Sequence, residues 1–544
     1  MDRAQGPRQD PAEPAMADMV SPPAGASTDQ PPAGGSTDNP SAGASLLDPS
    51  GELRKVVGDC VHCGFCLPAC PTYQLWGEEM DSPRGRIHLI SQMLDGAQAS
   101  DAAAAHVDRC LGCMACVPAC PSGVRYDTLI EAARSWAEEP PAGPPPLPAR
   151  SVRHRAVRAA IFQTFPYPRR LALLIAPLRV AQRTGLDSLL LRSGLADRLP
   201  PEFAAALRVA PAPPGRPIPL TGELIPDSDQ SVDLNAPNVL TKSGTSGLVL
   251  SPPAPSRTPK QTPARTRTWK RVRTRTVPRR LPERVPALGS RRAVVGMLTG
   301  CVQQVFFPQV NAATARVLAA EGCDVVIPAA QGCCGALSLH GGRRTEAARF
   351  ARQAIETFER AGVDAIVVNA AGCGSAMKEY AQLLAGDAAW ARRAAAASAK
   401  VRDFSEFLAA LGPAAPRHPL PVTVAYHDAC HLAHAQRITR QPRDLLLAIP
   451  GLSLTEIADG GICCGSAGIY NLVQPDAARE LGERKARTVR DTGASLLVSA
   501  NPGCAMQISA ALAAQGHQMP MAHIAEVLDA SIRGVPVAEL SGEE

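Results

Sequence analysis

The sequence lacks the features of a secreted or membrane-spanning protein. Its longest strongly apolar stretch, residues 171–178, is far shorter than the ~20 residues that cross a bilayer. Its first residues hold no apolar signal-peptide core. The 17 cysteines among 544 residues are too sparse for a secreted disulfide scaffold, in which cysteine reaches ~8–10%. We therefore expect a cytoplasmic protein whose cysteines stay reduced and can bind metals.

Motifs for nucleotides and for activated nucleophiles are absent as well. The chain has no Gly-x-Gly-x-x-Gly after an apolar run, no Gly-x4-Gly-Lys-Ser/Thr loop and no nucleophile elbow. Without a binding motif for flavin, NAD or ATP, the chain is not expected to transform a substrate itself. We assign it no catalytic residue, and any substrate chemistry should belong to a partner.

Aromatic residues are scarce at 4%, whereas the chain holds 52 prolines and 44 glycines. Part of its length should therefore be linker rather than core. Residues 1–50 contain a near-repeat, at 22–30 and 31–39, without apolar periodicity, and are expected to form a disordered tail. Residues 206–286 are rich in Pro, Ser, Thr and Arg and are expected to form a disordered insertion.

The net charge of +6 conceals one basic segment. Arg257–Arg292 holds 13 Lys and Arg against a single acid, Glu283, so the rest of the chain is acidic overall. Such a segment could bind nucleic acid, but it carries one aromatic residue, Trp269, and no recognisable fold. A solvated linker is the default interpretation, and no nucleic-acid partner is expected.

Eight cysteines near the N-terminus follow the spacing of a bacterial ferredoxin. Each run reads Cys-x2-Cys-x2-Cys-x3-Cys-Pro, whereas structural zinc sites use separate Cys-x2-Cys pairs. Apolar residues at helical spacing after the first run, such as Ile87, Ile90 and Leu94, favour a mostly helical domain. In such runs the fourth cysteine binds the other [4Fe–4S] cluster. The predicted ligands are Cys60, Cys63, Cys66 and Cys120 for cluster one, and Cys110, Cys113, Cys116 and Cys70 for cluster two.

The C-terminal half contains an internal duplication built around a Cys-Cys-Gly motif. Four cysteines recur about 130 residues apart. Buried apolar cysteines are the alternative, but repetition in register favours metal sites. Adjacent cysteines cannot bond each other without strain, so both thiolates should face one centre. We expect one or two further iron–sulfur clusters, with candidate ligands Cys301, Cys333, Cys334 and Cys373 in the first copy and Cys430, Cys463, Cys464 and Cys504 in the second.

Three side chains near these motifs are less certain in role. Cys323 has no counterpart in the second copy and is expected to be a core residue at the start of a strand. His427 and His431 flank Cys430. Each histidine could be a metal ligand, a hydrogen-bond donor to a cluster, or a solvated or capping residue.

Short apolar runs alternate with helical stretches, such as Thr345–Ala361 and Pro475–Arg490, which predicts parallel sheets covered on both faces. Ligands collect at the C-terminal ends of such strands, so each copy should gather its cysteines at one rim. The fold class is therefore α+β and α/β multidomain, with a helical two-cluster ferredoxin domain and duplicated α/β Cys-Cys-Gly modules. The predicted units are the tail at 1–50, the ferredoxin domain at 51–138, a basic helical region at 151–205, the insertion at 206–286, and modules at 290–415 and 416–535.

Several motifs resemble those of the iron–sulfur subunits of glycolate oxidase (glycolate dehydrogenase). Related subunits for lactate and anaerobic glycerol-3-phosphate oxidation share the individual cysteine motifs, but the Pro-Arg-Gly-Arg and Ser-Ala-Gly stretches favour glycolate. Disulfide-reductase relatives carry a fifth cysteine where this chain has Ala376 and Gln507. The resemblance spans about 51–205 and 290–535 and rests on Val61–Gln74, Asp81-Ser-Pro-Arg-Gly-Arg-Ile87, Cys120–Tyr126, Gly332-Cys-Cys-Gly-Ala336 and Cys463-Cys-Gly-Ser-Ala-Gly468.

The resemblance implies an oxidoreductase complex with two FAD-binding subunits, acting on a CH–OH group with a non-NAD acceptor. Glycolate would be oxidised to glyoxylate at the flavin, and electrons would pass through this chain toward a membrane quinone. The alternative is a related subunit for lactate, glycerol-3-phosphate or disulfide redox chemistry. Ser151–Gly194 interleaves arginines and leucines, so it is expected either to lie at the inner face of the cell membrane or to pack on the flavin partner.

Overall fold

The computed structural model describes residues 47–141, 145–211 and 281–541. Most of the predicted tail at 1–50 and of the predicted insertion at 206–286 lies outside these ranges. The described residues fold into a helical N-terminal unit, a group of connecting helices and two sheet-containing modules.

The unit at 51–138 consists of helices and, within its described residues, contains no strand, as the sequence predicted. Ile90, Leu129, Ile130 and Ala133 are completely buried in its core, and they fall on the apolar helix faces expected from their spacing. Its helices are α1 Glu52–Gly58, α2 Pro71–Trp76, α3 Pro83–Leu94, α4 Asp101–Asp108, α5 Cys116–Ala119 and α6 Tyr126–Glu138.

The connecting region is helical and packs against other parts of the same chain. Phe162 and Leu171 are completely buried, the first beside Leu337 and the second against Val305, both of the first module. Leu173 and Leu174, by contrast, are 75% and 57% exposed. Among the described residues, no helix combines the length and apolarity needed to cross a membrane. These helices are α7 Val152–Thr164, α8 Pro168–Leu174, α9 Ala176–Thr184, α10 Leu186–Arg192 and α11 Pro201–Val209.

Both segments that were predicted to be disordered include folded residues at their ends. Asp48 is buried, and its carboxylate accepts a hydrogen bond from the Arg54 amide in α1. Residues 206–209 complete α11. Arg284–Val285 form an antiparallel edge strand, and Val285 is buried in the adjoining core. Pieces this short carry too few residues for periodicity to reveal them in the sequence.

The two modules have parallel sheets of related topology, which confirms the predicted duplication of α/β units. The first sheet has the order β1-β3-β2-β4-β5, with only β1 antiparallel, and the second has the order β7-β6-β8-β9. The strands are β1 Arg284–Val285, β2 Ala293–Leu298, β3 Cys323–Val326, β4 Ala365–Val368, β5 Val401–Asp403, β6 Val422–His427, β7 Leu452–Glu456, β8 Leu496–Ser499 and β9 Met521–His523.

Helices cover these sheets, including the two stretches predicted from the sequence. The first module contains α12 Val302–Phe306, α13 Pro308–Ala320, α14 Ala336–His340, α15 Arg344–Ala361, α16 Ala371–Lys378, α17 Tyr380–Leu383, α18 Ala391–Lys400 and α19 Phe404–Leu411. The second contains a π-helical turn at His431–Ala435, then α20 Arg440–Leu447, α21 Tyr470–Val473, α22 Pro475–Arg490, α23 Pro502–Ala514, α24 Ile524–Arg533 and α25 Ala538–Ser541.

Alternate residues of the central strands face two different cores. Met297 and Val367 point into a core that continues into the second module. Leu298 and Val368 point to the opposite face, where they pack in the same cluster as Cys333 and its neighbours. Cys323 starts β3 and is completely buried, as predicted.

The modules are joined through matching elements. Helix α13 of the first packs on α24 of the second, and the buried Arg316 and Asp529 form an ion pair across them at 2.6 Å. The loops after β4 and β8 also meet, since the Ala371 amide donates to the Ala500 carbonyl at 3.1 Å. The cysteine-bearing rims of the two modules are therefore held in a fixed relation.

Candidate metal centres

The two ferredoxin runs adopt the same loop conformation. In each run, the second and fourth residues after the first cysteine have left-handed backbones: His62 (φ 55°) and Gly64 (φ 86°) in the first, Gly112 (φ 65°) and Met114 (φ 60°) in the second. A left-handed residue other than glycine costs ~1–2 kcal/mol. Such turns direct backbone N–H groups inward, and the Gly112 amide donates to Cys110 Sγ at 3.3 Å.

The second run encloses a cavity that includes one cysteine from the first run. Cys70, Cys110, Cys113 and Cys116 line this cavity together. All four side chains are buried. The structure thus brings together the four residues that the sequence predicted as the ligands of cluster two.

The first run lies closer to the surface. Cys63 is exposed, whereas Cys60, Cys66 and Cys120 are half-buried against the ferredoxin core. The neighbouring apolar side chains of Val61 and Phe65 are each 67% exposed. The two cysteine sets of this unit therefore differ sharply in their access to solvent.

A buried arginine, Arg86, organises the wall of the cavity. Its guanidinium donates to Thr72 Oγ1 at 3.2 Å and to Asp81 Oδ1 at 3.3 Å, and Thr72 Oγ1 lies 3.2 Å from Cys70 Sγ. The ring of His106 and the guanidinium of Arg109 are the other partners of the Asp81 carboxylate. The Pro-Arg-Gly-Arg stretch had been noted only as a resemblance, and its second arginine proves to contact the cysteine pocket.

Arg86 helps to give the thiols of this cavity different pKa values. Burial raises the pKa of Cys113 and Cys116 well above 9.0. Burial acts on Cys110 in the same direction, but the Arg86 and Arg134 guanidiniums bring its pKa below 9.0. The wall of the cavity is therefore arranged to hold at least one thiolate, which is the form that binds metal.

The first module gathers its four predicted cysteines at one rim. Cys301 and Cys373 follow the ends of β2 and β4, and Cys301 Sγ lies 3.7 Å from Cys333 Sγ. Hydrogen bonds from Cys333 and Cys373 hold the pKa of Cys334 well below 9.0. The buried Tyr380 hydroxyl donates to the Cys334 carbonyl at 2.7 Å.

The second module repeats this arrangement. Hydrogen bonds from Cys463 and Cys504 hold the pKa of Cys464 well below 9.0, and a hydrogen bond from Cys463 lowers that of Cys430. The Asn501 side chain donates to Cys504 Sγ at 3.4 Å. A ring nitrogen of His427 and the sulfurs of Cys464 and Cys504 all lie within 4.8 Å of one another.

The backbone and its packing both require the glycine of each Cys-Cys-Gly motif. Gly335 and Gly465 have left-handed backbones, with φ of 85° and 89°, which glycine adopts without strain. A Cβ at Gly465 would lie 2.6 Å from the Ala478 carbonyl oxygen, so close packing on α22 also requires glycine.

The second ferredoxin run packs directly on the second module. Leu111 and Cys113 share one apolar cluster with Cys430, Cys463 and Tyr470. The first module is joined to the ferredoxin unit by a polar contact, since the ring of His340 bonds to the Glu131 carboxylate at 3.1 Å. The same ring lies 4.8 Å from the ring of His431 in the second module. The cysteines of the second ferredoxin run and those of the second module thus lie in one apolar cluster.

The donors fit iron–sulfur clusters. Each set consists of cysteines, whose thiolates are soft ligands, and in the pocket around Cys70 and Cys110 one backbone N–H donates to sulfur and two arginine charges act on the same thiol. Sequence reasoning missed Arg86, Thr72 and Tyr380, since each reaches a cysteine or its backbone only after the chain folds back on itself.

Comparison with known families supports this composition. A 4Fe-4S dicluster domain model matches residues 56–124, and a cysteine-rich domain model matches twice, at 295–378 and 424–509. A third model, the linker region of the glycolate oxidase iron-sulfur subunit, matches residues 153–210. The chain therefore carries multiple iron–sulfur clusters, and its duplicated modules are cysteine-rich domains.

Comparison with individual proteins extends over most of the chain. A probable glycolate oxidase iron-sulfur subunit of Bacillus subtilis is 33% identical over 86% of this chain and 93% of its own length. The glycolate oxidase iron-sulfur subunit of Escherichia coli is 32% identical over 85% and 91%. Lactate utilization protein A of an Exiguobacterium species is 32% identical over 44% of this chain and 98% of its own length. The chain belongs to the family of glycolate oxidase iron–sulfur subunits.

Proposed function

We propose that the chain is the electron-transfer subunit of a complex that oxidises glycolate to glyoxylate on FAD-binding partner subunits. The electrons would pass onward to a quinone-type acceptor. The observation that carries this proposal is the apolar cluster that Cys113 shares with Cys430 and Cys463, because it joins the ferredoxin unit to a module. Iron–sulfur clusters transfer one electron at a time, and a flavin and a quinone can each give or accept electrons singly.

The proposed ligands are those expected from the sequence. Cluster one takes Cys60, Cys63, Cys66 and Cys120, and cluster two takes Cys110, Cys113, Cys116 and Cys70. The cavity shared by Cys70 and the second run supports this crossed assignment. The cysteine quartets of the two modules are proposed as further cluster ligands, supported by the contacts between their sulfurs.

The chain's own residues keep water from most of these sulfurs. The cysteines of the cluster-two pocket and nearly all of those in the modules are buried, so cluster potentials there depend on fixed charges such as Arg86. We propose that the flavin partner docks near Cys63, since this cysteine is exposed between the exposed Val61 and Phe65.

The test is to purify the chain together with its partner flavoproteins and to measure dye reduction with a panel of 2-hydroxy acids and with glycerol-3-phosphate. Glycolate should be the preferred substrate, and the chain alone should reduce no dye with any of them. A complex that prefers glycerol-3-phosphate, or turnover by the chain without flavoprotein, would overturn the proposal.

A second candidate function is lactate oxidation, which is favoured by the match to lactate utilization protein A. That protein aligns over nearly its whole length but over less than half of this chain. The two relatives named for glycolate oxidase align with about 85% of the chain. Glycolate is therefore proposed first, and L-lactate belongs in the same panel as the competing substrate.

A further inference from the structure

His427 is a buried side chain without a nitrogen or oxygen partner. It is 1% exposed, and neither of its ring nitrogens makes a hydrogen bond to nitrogen or oxygen within the described residues, although its ring lies close enough to the Cys464 sulfur to lower the pKa of that thiol. A buried polar group without a partner costs ~1–3 kcal/mol, so its position calls for a partner such as a bound water or a metal centre. The nearest chemistry is metal-binding, because the ring faces Cys464 and Cys504 within 4.8 Å.

The first module has no such donor in the equivalent place. His427 ends β6 and lies three residues before Cys430, whereas Leu298 ends β2 and lies three residues before Cys301. Leu298 packs in one apolar cluster with Cys301, Cys333 and Cys334. The two cysteine quartets are thus alike, but a histidine stands beside one and a leucine beside the other.

The neighbouring strand shows the same difference. His427 pairs in register with Ser499 on β8, and Leu298 pairs with Val368 on β4. The Ser499 hydroxyl is buried and makes no hydrogen bond within the described residues. The rim of the second module is therefore polar on two adjacent strands, at positions where the rim of the first is apolar.

His431 is the other histidine of this region, and its position is different. Its Nδ1 lies 3.6 Å from Cys430 Sγ, and its ring stacks on His340 of the first module with centroids 4.8 Å apart. It is half-buried rather than buried. The ring of His431 lies near one cysteine sulfur, whereas the ring of His427 lies near two.

We propose that His427 is a direct ligand of the second module's metal centre. This centre is then a mixed imidazole–thiolate iron–sulfur cluster, while the first module binds through thiolates alone. The inference rests on the proposed function only in taking the module cysteines as cluster ligands. In this centre the imidazole takes one position of the quartet proposed above, so that three of its four cysteines remain as ligands. Because a neutral imidazole in place of a thiolate raises the potential of a cluster, the second module holds the more oxidising of the two module centres.

The experiment uses the full chain, purified anaerobically with ¹⁵N-labelled histidine and reduced with dithionite. Electron–nuclear double resonance should show a strongly coupled histidine nitrogen on one cluster of the wild-type chain. The coupling should be lost in His427→Leu, which copies the first module, and retained in the matched control His431→Leu. Redox titration of His427→Leu should show one cluster shifted to more negative potential.

Three results would overturn the proposal: no coupled nitrogen in the wild-type chain, a coupling that survives His427→Leu, or stoichiometric zinc in the second module instead of iron. If His427→Leu does not fold, the wild-type and His431→Leu spectra still decide: a coupled nitrogen that is present in both supports His427, and one that is lost in His431→Leu overturns the proposal. Since no glycolate or partner subunit is used, failure of the glycolate assay leaves this test intact, and the reverse also holds.

Discussion

Arg86 illustrates how much of the ferredoxin pocket depends on one side chain. It is completely buried and connects Asp81, Thr72 and, through Thr72, Cys70. A buried carboxylate and a buried guanidinium compensate each other's charge, and without Arg86 the Asp81 carboxylate would keep only His106 and the partly exposed Arg109. The residue therefore matters both for the stability of the unit and for the charge beside the cysteines.

We predict that Arg86→Gln destabilises the protein by about 3 kcal/mol, because Asp81 loses a buried partner. The substitution should also lower the potential of one [4Fe–4S] cluster, since a positive charge beside it is removed. Anaerobic urea unfolding and redox titration measure the two effects. The matched control is Arg84→Gln on the same helix, whose ion pair with Glu79 is partly exposed and should contribute below ~1 kcal/mol. Equal losses in both variants would contradict this account.

His523 and Glu526 form a pair of opposed titrating groups at the start of α24. His523 Nε2 donates to the Asn369 carbonyl, and Nδ1 accepts from the Ala525 amide, so the ring is held neutral. Burial lowers the pKa of His523 to about 4 and raises that of Glu526 to about 7. The histidine's contribution to stability is present above pH ~6.5 and is lost toward pH 4, whereas the glutamate's is present below pH ~4.5 and is lost toward pH 7.

The two contributions should nearly cancel in the wild-type chain. Glu526→Gln leaves only the histidine, so its stability should fall by about 2 kcal/mol from pH 6.5 to pH 5. His523→Asn leaves only the glutamate, so its stability should rise by about the same amount over the same range. Urea unfolding at the two pH values checks both, and parallel pH profiles for the two variants would rule out the assignment.

At the level of elements, most of the structure that could be predicted was predicted from the repeated motifs. The spacing of the cysteines and the alternation of apolar runs with helical stretches predicted the helical ferredoxin unit and two parallel sheets with cysteines past the strand ends. The edge strand β1 was missed, because a strand of two residues is too short to show periodicity. The contact between Cys113 and Cys430 was also missed, since it joins residues more than 300 positions apart.

The crossed assignment, in which the fourth cysteine of each ferredoxin run binds the cluster of the other run, can also be tested. Cys70→Ser should give the same EPR spectrum on reduction, and the same iron loss, as Cys110→Ser, because both residues line one cavity. Cys120→Ser should instead match Cys60→Ser. A Cys70→Ser spectrum that matches that of Cys60→Ser would show that each run holds its own cluster.

At the scale of the whole molecule, the ferredoxin unit is held against both modules. Its second cysteine run packs on the second module, and its Arg134 donates to the His340 carbonyl of the first. Arg158 of the connecting helix α7 donates to the neighbouring Gly341 carbonyl. Buried cysteine sets in one body, with one exposed end at Cys63, suit a chain that transfers electrons between partners.

The most direct test of this account is anaerobic reduction of the chain by glycolate with and without its flavoprotein partners. The account predicts that glycolate bleaches the visible absorbance of the iron–sulfur clusters, and brings up their EPR signals, only when the flavoproteins are present. Clusters that stay oxidised in the complete complex while the flavin is reduced would contradict it. So would bleaching of the isolated chain by glycolate.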